Sequence, residues 1–263
     1  MSIIDAHAHI ASWPTVEQSK KNLLTGMDTW GIECSLISHA DCTSFPTEHE
    51  AKVDPISGAE GLRQTIAFAR ENPGRIYIAA WFKPLIEPEP TEEFVQLIKD
   101  NLDVVKALKF HPFCERLPAD DPRLEPYYAL ARELGFPVLV HTAVDENSAI
   151  YHLVNAAKAH PDIRFVAAHL ELCSDHRFAI DAIAEVPNIY ADTAWVDVDS
   201  CKLAIQKLGI DRIMFGTDAP IDGEPTLYNP IYLAYFRNDA MFGKRVLSKL
   251  MRDNAIYFYK LHA

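Results

Sequence analysis

Short apolar runs rich in β-branched residues alternate along this chain with longer stretches whose apolar positions recur every three to four residues. The short runs fall at 3–8, 33–38, 75–82, 104–110, 137–141, 164–169, 189–192 and 212–216, and each reads as a buried strand. The longer stretches predict helices over 16–31, 58–71, 91–101, 122–134, 148–159, 175–184 and 197–208. Local signals agree with these bounds. Asn72-Pro73-Gly74 stops the second helix, and Thr91-Glu92-Glu93 supplies an N-cap followed by acidic first-turn residues. Eight strands alternating with helices predict parallel pairing through crossover helices. Eight such units in 263 residues predict a single-domain (β/α)8 TIM barrel of the α/β class. An open doubly wound sheet would carry a glycine-rich phosphate turn after its first strand, where this chain has His7-Ala8-His9. Segment 245–261 reads as an amphipathic helix expected on the barrel exterior, and 42–56 and 83–90 read as loops.

A barrel of this kind places its active site at the carboxyl ends of the strands. Those ends hold His7 and His9, Lys109 and His111, His141, His169, and Asp218 after Gly216-Thr217. A strand has a side-chain period of two, so His7 shares a face with His9, and Lys109 with His111. Imidazole is a ligand for zinc and other borderline metals. A lone H-x-H is a weak motif, and one histidine at a strand end is usually just hydrogen-bonded. Four of eight strands ending in histidine, with an aspartate after the last, form a constellation. Gly216 is expected to let the chain turn tightly out of the eighth strand and aim Asp218 at the barrel axis. Asp192, ending the seventh strand, is placed to hydrogen-bond a ligand histidine or the substrate. Trp13 and Trp195 flank the expected mouth, as pocket walls or as loop packing. Arg116 is either a carboxylate-binding group or a solvated surface arginine, and Cys173 either lines the site or belongs to a loop.

Charge narrows the partners. Thirty-seven acidic against 25 basic residues give a net charge of −12, with no basic stripe. That excludes a nucleic-acid surface and an anionic membrane surface, and suits a small-molecule substrate and a cation. Five cysteines, an odd number with no C-x-x-C pair, exclude a disulfide framework or a zinc finger. They point to a reducing, cytoplasmic setting. No signal peptide is visible, and no apolar run approaches the roughly 20 residues that span a bilayer. A homo-oligomer is compatible with all of this.

The order H-x-H, K-x-H-P, two single histidines and G-T-D-x-P resembles the amidohydrolase superfamily. It looks most like the compact amidohydrolase-related branch, which includes hydrolases and non-oxidative decarboxylases. Asp253-Asn254-Ala255 resembles the Asn-Ala signature of that branch's last helix. The resemblance implies one divalent metal, by preference zinc, bound by His7, His9, His141 and Asp218. It implies that Asp218 also accepts a proton from a metal-activated water, with His169 as acid, base or electrostatic stabiliser. His111 would contact substrate or brace the site. In two-metal members the fourth-strand lysine is carboxylated and bridges the ions, which would make Lys109 a bridge and His169 a second-metal ligand. The K-x-H-P pattern resembles the single-metal branch instead. The leading expectation is a metal-dependent hydrolase of a small cyclic amide, lactone or ester-like substrate. A decarboxylase of an aromatic or enoic acid is the alternative, and would give Arg116 more weight as a carboxylate anchor. A catalytically silent metal-binding barrel is the third reading.

Overall fold

The computed structural model describes residues 2–44 and 56–262. Most of the loop expected at 42–56 therefore lies outside the described residues. Eight parallel strands pair in sequence order: β1 (Ile3–Ile10), β2 (Ile32–His39), β3 (Ile76–Trp81), β4 (Val105–Phe110), β5 (Val138–Ala143), β6 (Phe165–Leu172), β7 (Ile189–Asp192) and β8 (Ile213–Met214). The sheet closes where Ala6 N–H donates to Phe215 O (2.8 Å) and His9 N–H to Ala219 O (2.7 Å). One isolated parallel bridge, Ala8 with Ala219, marks this seam. The result is the expected (β/α)8 barrel.

Crossover helices α1 (Val16–Trp30), α2 (Gly58–Glu71) and α3 (Glu92–Asp100) precede a short α4 (Pro112–Glu115). Then come α5 (Glu125–Leu134), α6 (Ile150–Ala159), α7 (Arg177–Ala184), α8 (Val198–Leu208) and α9 (Pro230–Arg237). Thr15, Ser57, Thr91 and Asp197 each accept a first-turn backbone N–H with the side chain, so four helix starts are capped as their residue types dictate. Among the described residues, no helix is long and apolar enough to cross a membrane.

Two expectations need correction. The tail is not one helix on the barrel exterior. It runs as α10 (Lys244–Ser248), a π-turn (Lys249–Asp253) and α11 (Asn254–Tyr259). Phe258, Tyr259 and Leu261 pack with the inward residues Ile4, Cys34, Tyr77 and Val166, closing the amino-terminal end of the barrel. The small inward side chains Ala6, Ala79, Ala107 and Ala168 leave the space these rings fill. Asn254 fixes the plug by donating to Ile210 O and Ile213 O, both at 2.7 Å. The eighth strand is also shorter than 212–216. It leaves the ladder after Met214 because the tail takes its next amide: Phe215 N–H donates to Leu250 O (2.9 Å).

Candidate active site

The two histidines of β1 reach the barrel interior by a break in alternation. Ile4 and Ala6 pack with the inward cluster, whereas Ala8 and Ile10 pack with the outer core between strands and helices. Simple period two would put all four on one face. The β1–β2 register shifts between Asp5 and Ala8, a β-bulge that reverses the facing of everything after it. His7 and His9 do share a face, but that face is inward only because of the bulge. β6 repeats the device. Val166 and Ala168 are inward, Leu170 is outward, and the β5–β6 register shifts between His141 and Ala143. Here His169, Leu170 and Glu171 take φ values of 70°, 47° and 69°. Left-handed backbone at such residues costs on the order of 1 kcal/mol each and concentrates at functional sites. Lys109 and His141 arrive by regular alternation from the inward Ala107 and Leu139.

The eighth strand brings Asp218 in at φ 62°, a conformation aspartate tolerates better than most residues. Gly216 itself is not left-handed. Its lack of a side chain is needed for close approach: a Cβ there would lie 3.0 Å from His7 Cβ and 3.2 Å from Asp192 Cβ.

These residues converge closely. His7 Nε2 lies 3.2 Å from His9 Nε2, 3.3 Å from Asp218 Oδ1 and 3.0 Å from Lys109 Nζ. His9 Nε2 lies 2.9 Å from Asp218 Oδ1. The far side of each ring is held. His7 Nδ1 is 2.9 Å from Asp192 Oδ2, and His9 Nδ1 is 3.0 Å from Ser38 Oγ. A carboxylate on Nδ1 keeps the proton there and turns the Nε2 lone pair of His7 toward the interior. Ligand atoms of His7, His169 and Asp218 all lie within 4.8 Å of one another. The His169 ring is 5.0 Å from that of His7 and 4.8 Å from that of His141. His141 stacks on His111 at 3.8 Å, and His111 stacks on Trp81 at 5.5 Å.

Electrostatics suits the binding of a cation. Burial, reinforced by neighbouring Lys109 or by other histidines, holds His7, His111 and His141 well below the usual imidazole range. Burial takes His169 down to about 4. Neutral imidazoles offer lone pairs. Burial alone would raise Asp218, but the His9 hydrogen bond and nearby His169 and His7 outweigh it, so the carboxylate is ionised. Burial lowers Lys109 to about 8, against the pull of Asp218 and Asp192. Several neutral imidazoles and one carboxylate, braced from behind and pointed at a common space, fit a divalent ion.

That space opens into a cavity of about 270 Å³ at the carboxyl ends of the strands. His9, Lys109, His111, His141, His169 and Asp218 line it, with Trp13, Trp81 and Trp195 as walls. Trp195 also donates its indole N–H to Asp218 Oδ2 (2.8 Å). Arg116 and Cys173 are not among the lining residues. Arg116 is exposed and ends α4 in a left-handed conformation, and Cys173 is exposed; Cys114 lines the cavity instead. One contributor, Ser38, escaped the sequence reading. Ser38 continues the inward series Cys34, Leu36, so alternation alone could have found it.

The chain belongs to the amidohydrolase family, whose model matches residues 4–261. The family match agrees with a site whose residues suit a cation. Among solved structures, 5-carboxyvanillate decarboxylase from Novosphingobium aromaticivorans DSM 12444, complexed with manganese, superposes with a TM-score of 0.75 at 13% identity, covering 99% of this chain and 96% of that one. The Sphingomonas paucimobilis 5-carboxyvanillate decarboxylase gives 0.72 at 15% identity, covering 99% of both chains. A candidate 2-pyrone-4,6-dicarboxylic acid hydrolase from Pseudomonas putida gives 0.70 at 11% identity, covering 100% of this chain and 98% of that one. At such identities the likeness is one of fold. The uncharacterized protein y4mH of Sinorhizobium fredii (strain NBRC 101917 / NGR234) is 23% identical over 150 residues, 48% of this chain and 50% of that protein. The chain thus spans about half the length of the curated relative it matches.

Proposed function

We propose that this protein is a metal-dependent hydrolase of a small cyclic amide, lactone or ester-like substrate. One divalent ion, zinc by preference, is held by His7, His9, His141 and Asp218. The observation that carries the choice of reaction is the make-up of the cavity wall. Among the described residues it contains no arginine, and its one ammonium, Lys109, already lies 3.0 Å from His7 Nε2. A cation beside a substrate carboxylate would favour decarboxylation, and Arg116 is not among the residues that line the cavity.

A divalent ion in such a site supplies Lewis-acid activation of water and polarisation of a substrate oxygen. The chain's own residues supply the rest. Asp218 keeps Oδ1 toward His7 and His9, while the Trp195 indole N–H holds Oδ2, so the carboxylate cannot rotate away. Its task as base is to take a proton at neutral pH and release it to the leaving group. His169 donates Nδ1–H to Ala194 O (3.2 Å), which leaves Nε2 to receive or hold a proton at the cavity. His111 Nδ1 accepts Cys114 N–H (3.4 Å), so its neutral ring presents Nε2–H as a donor to substrate. Three tryptophans exclude water from a flat substrate, and the cavity volume limits it to a small molecule.

Decarboxylation of an aromatic acid is the second reading, favoured by those tryptophan walls and by Lys109 as a carboxylate partner. A panel of lactones, amides and esters beside aromatic acids separates the two, with acid release and carbon dioxide release followed on metal-loaded protein. Metal-dependent acid release is the expected result. Carbon dioxide release alone would reverse the assignment, and neither product from a metal-replete protein would leave a silent barrel.

A further inference from the structure

Asp5 lies outside the cavity, and the mechanism above gives it no task. It is fully buried and forms no ion pair among the described residues. A buried carboxylate without a cation is costly, and an apolar residue would fill the same place more cheaply. Its oxygens are nevertheless fully engaged. Oδ1 accepts His7 N–H (3.1 Å) and Thr217 N–H (3.1 Å), and Oδ2 accepts the Thr217 hydroxyl (2.5 Å). The Thr217 oxygen in turn accepts Ala219 N–H (3.1 Å).

This cluster sits at the seam where the barrel closes. β8 ends at Met214, and a single bridge joins its continuation to β1. Beside that bridge, the register between the β1 bulge, which carries His7 and His9, and the segment that carries Asp218 rests on a few backbone hydrogen bonds, Ala6 N–H to Phe215 O and His9 N–H to Ala219 O among them. His7 O receives Thr217 N–H (3.2 Å) and Asp218 N–H (2.7 Å), and the Asp5 carboxylate closes the same unit from the other side. We infer that Asp5 and Thr217 form a clamp that reinforces this short seam and sets the spacing of Asp218 from the His7/His9 pair. Both are positioning residues for the metal centre, and the inference rests on the metal reading proposed above. A carboxyl group suits residue 5 because three donors from two segments converge there, and its two oxygens accept them all.

The test is a divalent-metal titration against a chromophoric chelator, run with zinc on the parent and on Asp5→Asn, Thr217→Val, Thr217→Ser and the Asp5→Asn/Thr217→Val double variant. Melting of each metal-free protein is measured in parallel. Asp5→Asn and Thr217→Val should each weaken zinc binding about 10–100-fold, the usual effect of losing a group that orients metal ligands. Thr217→Ser should stay within about threefold of the parent, and the double variant should be no weaker than the worse single one, as for two halves of one contact. Metal-free melting that falls while zinc affinity stays within about threefold of the parent would reduce the clamp to a structural brace. Losses that multiply in the double variant would also overturn it. If Asp5→Asn does not fold, the valine and serine variants at 217 decide alone. A parent that binds no zinc or other divalent ion brings down the metal reading and this inference together, and shows it before any variant is compared.

Discussion

Replacing Gly216 by alanine tests how closely the eighth strand must pass its neighbours for the site to form. The new methyl would lie 3.0 Å from His7 Cβ, 3.2 Å from Asp192 Cβ and 3.4 Å from Asp192 Cγ. Carbon atoms in optimal contact stand about 3.5–4.0 Å apart, so both neighbours must give by roughly half an ångström. Neither is a flexible side-chain end. His7 is tied to Asp192 at 2.9 Å, and Asp192 also accepts His169 N–H and Ala194 N–H, each at 3.1 Å. Overpacking of this kind costs about 1–3 kcal/mol. Gly216 is not left-handed, so alanine regains about 0.4–1 kcal/mol by restricting the unfolded chain. The net loss of about 1–2 kcal/mol lowers the melting temperature by on the order of 5 °C at this chain length. The larger effect falls on the metal, because the methyl presses on the His7–Asp192 pair itself. Affinity should drop about tenfold or more. Calorimetry of the metal-free protein and a chelator competition read the two effects separately. A variant melting within about 1 °C of the parent and binding metal with unchanged affinity would show that the close approach at 216 has no consequence.

His169→Ala should retain most of its metal yet lose about 10²–10⁴ in rate. A variant as empty of metal as His7→Ala would instead make His169 a ligand, a role its place within 4.8 Å of His7 and Asp218 also allows. Asp218→Asn should remain folded and bind metal measurably, with its rate falling at least about 10²-fold more than its metal occupancy. More than half the parent rate in the metal-saturated variant would refute a base role for Asp218. Glu115 gives a pH prediction away from the metal ligands. Burial, against two hydrogen bonds from Ser44, raises its carboxyl from 4.5 to about 7, so folding favours the protonated form. That contribution is complete below 4.5 and is lost as pH rises through about 7. Glu115→Gln cannot ionise, so its melting temperature relative to the parent should be higher near pH 8 than near pH 5; equal differences at the two would contradict the assignment.

How the site is reached in sequence and in space differs by strand. Alternating patterns at 104–110 and 137–141 carry Lys109 and His141 inward, and period two needs no help there. The tail was legible as helix-forming and apolar on one side, but not in its destination, because amphipathicity says that a face is buried and not what covers it. Asp192 was placed by its strand end, and its contact with His7 depends on strands β1 and β7 that lie 185 residues apart in the chain.

The sequence by itself determined the eight-fold βα alternation, the helix caps and the residue types that gather at the strand ends, because these follow from local periodicity and side-chain chemistry. Tertiary structure alone decided which way His7, His9 and His169 face, since each follows a register shift that only the neighbouring strand makes visible. It also decided why residue 216 is glycine: the reason lies in the space beside His7 and Asp192, not in the backbone angle at 216 itself. One residue of slip reverses every side chain beyond it, so where a strand carries a bulge, local pattern cannot say which face its later residues take.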